Sequence, residues 1–331
     1  MKILCLRFSS IGDIVLTSPV VRALHEQIGA EVHFVTKKAF EPILTSNPHI
    51  SRVFAFEKDI RVLVPQLRAE RYDWVIDLHH NLRSQQLKML LRRPSRSFDK
   101  LNIEKWLLVN TGINLLPHNH IVERYMAAAA HLGVHDDGKG LDFFIPENQK
   151  VTLSDLSPLL APGKYIALVL GATHATKRMP PDKLASVIRL LGAPVVLLGG
   201  KAEAETGRWL SEQAGSSAVD TCGQLSLMQS ASVVEQAGKV VTHDTGLMHI
   251  AAALGKDIVS VWGSTIPGFG MYPFLAEGKG SNVTIEVDGL SCRPCSKIGF
   301  ARCPKGHFRC MNLLDEAAIA RAASLHLGLK K

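Results

Sequence analysis

The chain has 331 residues, of which 46% are hydrophobic and 21% charged, a balance that supports sizeable buried cores and excludes a disordered chain. Aromatic residues make up 6%, which speaks against a sequence organised around stacked bases. The 38 basic residues outnumber the 30 acidic ones and leave a net charge of +8, favouring an anionic partner: nucleic acid, a phosphorylated small molecule or an acidic membrane face.

No run approaches the roughly 20 apolar residues that a spanning helix needs. The apolar N-terminus is broken by Arg7 and Asp13 and reads as a buried strand followed by a loop and a helix, not as a signal peptide. A cytosolic protein is therefore expected, with its six cysteines held as thiols.

In chain order, Lys2 to Phe8 predicts a strand and Ile14 to Ile28 a helix. Further strands are expected from Glu31 (EVHFVT), from Arg52 (RVFAF) and over Trp74 to Leu78. A helix over Val122 to Leu132 closes this half. Apolar strands alternating with helices indicate a parallel sheet covered on both faces. Between Pro146 and Lys164 the pattern lapses into prolines and small polar residues, as in an interdomain linker. It resumes with five strand candidates, starting at Tyr165, Pro194, Ala218, Lys239 and Asp257. The organisation expected is a Rossmann-like domain over 1–155, a second over 156–313, and an amphipathic C-terminal helix within 314–331.

In such sheets ligands bind beyond the carboxyl ends of the strands, which directs attention to loops 9–13, 171–180, 199–205, 223–226 and 244–249. The first strand–helix turn, FSSIGDIV, has one glycine and no dinucleotide fingerprint, and LLGGKAEA at 197–204 lacks the pattern of a P-loop. The segment His243-Asp244-Thr245-Gly246-Leu247-Met248-His249 leads from an apolar strand into a helix. Free N–H groups there suit phosphate oxygens, Asp244 suits sugar hydroxyls, and Gly246 permits close backbone approach. Equally, Asp244 or Thr245 is a plain helix cap. Lys177 and Arg178 precede Pro180 and Pro181 at a helix start, a placement that suits a diphosphate. Asp13 can take a proton from an incoming hydroxyl. Taken locally, Gly12-Asp13 reads better as the N-cap of a helix from Ile14.

Together, RFSSIGDIVLTSPVVRALH from Arg7, GATHATKRMP from Gly171 and HDTGLMHIAAALGKDIVSVWGSTIP from His243 resemble glycosyltransferase family 9, the ADP-heptose:lipopolysaccharide heptosyltransferases. The resemblance covers nearly the whole chain. It implies an α/β chain of GT-B fold, with two doubly wound, Rossmann-like domains facing across a cleft and a C-terminal helix crossing back towards the first domain. It places the acceptor on the N-terminal domain, along a loop of Ser9, Ser10 and Gly12, and the nucleotide sugar on the C-terminal one. Asp13 then becomes the general base, Lys177 and Arg178 the contacts to the donor diphosphate, and Asp244 the sugar contact. Thr245 and Gly246 approach the phosphates through their backbone. Leu247 and His249 belong to the same motif, and Thr173 and Glu203 are further donor-side residues, Glu203 towards the ribose.

The implied chemistry is inverting displacement at the anomeric carbon with no metal and no cofactor, the nucleotide sugar being a substrate. ADP-heptose is the family's default donor, and the lipopolysaccharide inner core the implied acceptor. The stretch Thr176 to Met179 lacks the aromatic often found before the proline, which leaves the sugar open. Two other readings remain: a nucleotide-sugar 2-epimerase of the same architecture, and a basic nucleic-acid-binding module.

Cys292, Cys295, Cys303 and Cys310 crowd into one segment with His307. Such a segment also occurs in some members of that family. These are ligand types for structural zinc, but the spacing is not that of paired knuckles, and a reduced loop without metal is the first expectation. Basic residues gather at Arg83, Lys88, Arg92, Arg93, Arg96, Lys100 and Lys105, and again at Arg293, Lys297, Arg302, Lys305 and Arg309. These are solvated faces or a docking surface for an anionic membrane, where each cation adds about 1 kcal/mol. The latter implies peripheral contact at the inner face of the inner membrane, with no nucleic-acid partner.

Overall fold

The computed structural model describes residues 1–324. Five strands, β1 (Lys2–Leu6), β2 (Glu31–Lys37), β3 (Arg52–Phe56), β4 (Trp74–Asp77) and β5 (Ser95–Ser97), form one sheet in the order β3-β2-β1-β4-β5. Six more, β6 (Ile166–Val169), β7 (Val195–Leu198), β8 (Ala218–Asp220), β9 (Lys239–His243), β10 (Ile258–Trp262) and β11 (Asn282–Glu286), form a second in the order β11-β10-β9-β6-β7-β8. All pairings are parallel, for example Leu4 against His33 on one side and Val75 on the other.

Central strands are covered on both faces and are therefore continuously apolar: Ile3, Leu4, Cys5 and Leu6 are fully buried, as are Val195 to Leu198. The nine strands expected from the sequence are present. The two it did not indicate, β5 and β11, are edge strands with the polar, partly exposed sequences SRS and NVTIE, which carry no apolar run to betray them.

The helix expected over Ile14 to Ile28 is two helices, Ile11–Val15 and Ser18–Ile28. Pro19 has no N–H for the carbonyl of Val15. Instead the Ser18 hydroxyl donates to that carbonyl at 2.8 Å, and the Thr17 hydroxyl to Ile14 O at 2.7 Å.

Two compact units result, Met1–Asn102 with Pro117–Phe144, and Ile103–Leu116 with the residues from Ile145 on. The division thus falls at Phe144 instead of 155, and the stretch read as a linker is fastened to the second unit. Val151 N donates to Ser232 Oγ at 2.9 Å, Gln236 Nε2 to Val151 O at 2.9 Å, and Gly163 N to Gln236 O at 2.8 Å.

The C-terminal helix, Glu316–Ala323, packs within the second unit. Leu314, Ile319, Ala320 and Ala323 are buried in the core of the second unit. Lys183, on the helix Pro181–Leu191, bonds Leu314 O and the Glu316 carboxylate at 2.9 and 2.7 Å. The helix lies where its apolar stripe is covered. The rest of the expected element, 325–331, lies outside the described residues. No described helix is long and apolar enough to cross a membrane.

Within the first unit, Arg22 is 2% exposed and holds the segment 137–142. Its guanidinium bonds Asp137 at 2.7 and 2.8 Å, Gly140 O at 2.8 Å, and the carboxylate of Asp142. Arg22 brings the Asp137 carboxyl down to about 2. Removing one partner of such a pair strands the other, so Arg22→Met is expected to cost about 3 kcal/mol in urea unfolding at neutral pH. Asp137 is more acidic folded than unfolded, so its contribution is complete above its ordinary value near 4 and is lost as pH falls towards about 2. The gap between variant and wild type should therefore narrow over that interval.

Candidate active site

Strand order reverses between β1 and β4 in the first sheet and between β6 and β9 in the second. At such a reversal the following helices leave on opposite faces and open a crevice at the carboxyl edge. The helix that follows β1 carries Asp13 in its first turn, and the connections after β6 and β9 carry Lys177 and Asp244.

In the first unit Leu6 ends β1, and residues 7–10 lead to the helix Ile11–Val15. Its N-cap is Ser10, not Asp13, which sits one turn in as an acid of the first turn. Both carboxylate oxygens of Asp13 are engaged. Arg7 reaches Oδ1 at 2.6 Å, while Ser10 N and Oγ donate to Oδ2 at 3.1 and 2.7 Å. The Asp13 side chain remains 20% exposed. Arg7 is fixed in turn by Ser9 O at 2.8 Å and Leu78 O at 2.5 Å. Gly12 is buried, and its carbonyl accepts Leu16 N at 2.9 Å.

Beside this loop the turn after β4 places His79 on the Phe8 ring, 4.6 Å between centroids. Burial, and then Arg7 and Lys100, push His79 down to about 4, so its ring is neutral at physiological pH. Asp77, fully buried, organises that turn by accepting His79 N, His80 N and Ser84 Oγ at 3.1, 2.7 and 2.8 Å and pairing with Lys88 at 2.9 Å. Burial opposes the charge of Asp77, but the His80 amide and Lys88 hold its carboxyl below the ordinary range. The sequence reading missed Arg7, Asp77 and His79 as a group. The signal available was a charged residue at each end of apolar runs that pair only in the folded sheet.

In the second unit Lys177 Nζ lies 2.6 Å from Asp244 Oδ2, with side chains 15% and 12% exposed. Asp244 also accepts the Thr265 hydroxyl at 2.8 Å. It is a partner of Lys177, not a helix cap. Thr245 occupies the N-cap position of the helix Gly246–Ala253 without a side-chain cap bond, which leaves that terminus to backbone N–H donors.

Arg178 bonds Ala172 O at 2.7 Å and pairs with Glu203 at 3.3 Å, and Glu203 accepts Gly200 N at 2.9 Å. His243 accepts Met179 N through Nε2 at 3.0 Å, and burial drives it down to about 4, keeping the ring neutral. The fold therefore brings Lys177, Arg178, Glu203, Asp244, Thr245 and Gly246 to one carboxyl edge. Leu247 is half-buried there, Thr173 is exposed on its loop, and His249 is buried in the unit. Each cation is held by a carboxylate that phosphate oxygens can replace.

The six cysteines are free thiols. Cys292 Sγ lies 3.8 Å from His307 Nε2, Cys295 Sγ bonds Cys292 O at 2.9 Å, and Cys310 is buried and pushed up to about 11. Among the described residues the set whose potential ligand atoms converge within 4.8 Å is instead Glu31, His33 and Glu70. It lies at the amino edge of the first sheet and is already engaged by Lys2, 3.3 and 2.7 Å from the two carboxylates, and by Arg52, 2.7 Å from Glu70.

The profile of glycosyltransferase family 9 (heptosyltransferase) matches residues 60–298. The chain is 28% identical over 326 residues to lipopolysaccharide heptosyltransferase 1 of Pseudomonas aeruginosa, covering 90% of this chain and 86% of that protein. Its fold matches E. coli ADP-heptose lps heptosyltransferase II with a TM-score of 0.69 at 23% identity, covering 97% of this chain and 99% of that one. It also matches E. coli heptosyltransferase WaaC with ADP-2-deoxy-2-fluoro heptose, with a TM-score of 0.63 at 24% identity over 86% and 93% of the two chains. The architecture is thus the GT-B fold of two Rossmann-like units, and the chain is a glycosyltransferase. It belongs to glycosyltransferase family 9.

Proposed function

We propose that this enzyme transfers heptose from ADP-heptose to the inner core of lipopolysaccharide with inversion at the anomeric carbon. The observation that carries the reading is the Lys177–Asp244 pair at 2.6 Å beside the helix terminus at Gly246. That is a cation, a carboxylate and free N–H donors set together at a strand-order reversal, suited to a sugar diphosphate. The names of the relatives support the heptose and the lipopolysaccharide, and the analogue bound by WaaC supports the adenosine diphosphate donor. They do not favour the epimerase or the nucleic-acid module.

In this reading the acceptor hydroxyl takes the place of the Ser10 hydroxyl at Asp13 Oδ2. Its oxygen bonds the anomeric carbon as the bond from that carbon to the phosphate oxygen breaks, and the proton passes to Asp13. Lys177, Arg178 and the N–H groups from Thr245 to Leu247 neutralise the charge gathering on the departing ADP. Asp244 and Thr173 hold the sugar, Glu203 faces the ribose, and Ser9, Ser10 and Gly12 line the acceptor side. No cofactor is invoked. An anionic, membrane-borne acceptor accords with the exposed Arg83, Arg92, Arg93 and Arg96 and would place the enzyme peripherally at the cytoplasmic face of the inner membrane.

Asp13→Asn should lower kcat by about 10²-fold or more while ADP affinity, measured calorimetrically, stays within about twofold. Near-normal turnover would remove Asp13 as the base. Lys177→Met should weaken donor binding by roughly 10- to 100-fold, the loss of one charge-assisted bond. In thermal-shift measurements ADP-heptose should raise Tm more than uridine or guanosine sugars at equal concentration, and the reverse order would displace the donor assignment.

A further inference from the structure

The cysteine-bearing segment is wired to the loops that carry Lys177 and Asp244. Thr176, 2% exposed and next to Lys177, is the tightest knot. Its N–H donates to Phe300 O at 3.1 Å. Its hydroxyl accepts Phe300 N and Ser264 Oγ, each at 2.8 Å, and donates to Phe300 O at 3.1 Å. One donor and two lone pairs are thereby all used. Ser264 N closes the ring on Thr176 O at 3.2 Å, and Cys295 N bonds Ser264 O at 3.0 Å.

The second fastening is Arg293, whose side chain is 6% exposed. It holds Val287 O and Thr265 O at 2.9 Å each and the Glu286 carboxylate at 2.6 Å. The hydroxyl of the same Thr265 bonds Asp244. The approach is close enough to demand glycine twice. A Cβ at Gly299, φ +102°, would come within 2.8 Å of His174 Cβ, and one at Gly263 within 2.6 Å of Thr176 O.

We propose that residues 293–300 are a strap that positions the donor-binding pair, with Thr176 and Arg293 as positioning residues that fix Lys177 and Asp244 without touching the donor. The proposal rests on the donor-site reading above. The segment has no regular secondary structure, and its backbone reaches the site loops through Cys295 N on Ser264 O and through Phe300 N and O on Thr176, which adjoins Lys177.

The test is steady-state kinetics and calorimetric ADP binding on the full-length enzyme. Thr176→Val keeps the shape and removes the hydroxyl. It should raise the donor KM about tenfold, with kcat within about threefold and the acceptor KM unchanged. Thr176→Ser should return the donor KM to within about twofold of wild type. In a Lys177→Met background Thr176→Val should add less than about twofold, since the group it positions is gone. Equal rises in both KM values, a lowered Tm with unchanged donor affinity, or the full tenfold effect in the Lys177→Met background would overturn the strap. If Thr176→Val does not fold, Ser264→Ala supplies the same comparison with an expected donor effect of about threefold. Unchanged donor affinity in Lys177→Met alone would overturn the donor-site reading and the strap with it. A loss there with a silent Thr176→Val overturns the strap only.

Discussion

In each sheet the chain leaves the middle twice, in opposite directions, and almost everything functional follows from that. Parallel strands need crossover connections, and right-handed crossovers put the helices of the two directions on opposite faces. Beside β1 and β4, and beside β6 and β9, no helix can cover the carboxyl edge. Lys177 and Asp244 stand in the connections at that edge of the second sheet, and Asp13 stands in the first turn of the helix that follows β1.

Charges in such half-buried loops must be held, and here each has a carboxylate or guanidinium partner: Arg7 for Asp13, Asp244 for Lys177 and Glu203 for Arg178. An exposed ion pair contributes about 0–1 kcal/mol. These pairs are 9% to 35% exposed by side chain, and their value is geometric, since each fixes the direction of a group whose solvation is incomplete. The same logic extends outward, to Thr265 behind Asp244 and to Leu78 O and Ser9 O behind Arg7. The basic surplus divides accordingly. Lys88 and Arg293, which a count along the chain places among surface cations, are spent on Asp77 and Glu286. Arg83, Arg92, Arg93 and Arg96 remain at the surface.

Most of the architecture was legible because burial leaves a local record. A strand covered on both faces is apolar at every position, as Ile3 to Leu6 and Val195 to Leu198 are, and a window of a few residues suffices to see it. The polar edges β5 and β11 leave no such record, whereas the break before Pro19 was marked by the proline itself and hidden only by the helical spacing of the apolar residues around it. Asp13, Lys177, Arg178 and Asp244 were legible as candidates because a strand end followed by a helix start is itself a local pattern.

By itself the sequence determined the two parallel sheets, the loops at their carboxyl edges and the family resemblance carried by those loops. The tertiary structure decided what the site residues touch: Arg7 on Asp13, Thr265 on Asp244, and Phe300 on Thr176 across 124 residues of chain. It also decided that Asp13 lies inside its helix instead of capping it, and that the helix Glu316–Ala323 packs on the second sheet. Periodic burial is written into neighbouring residues, whereas a hydrogen bond between distant loops depends on how the intervening chain is folded, and no short window of sequence contains it.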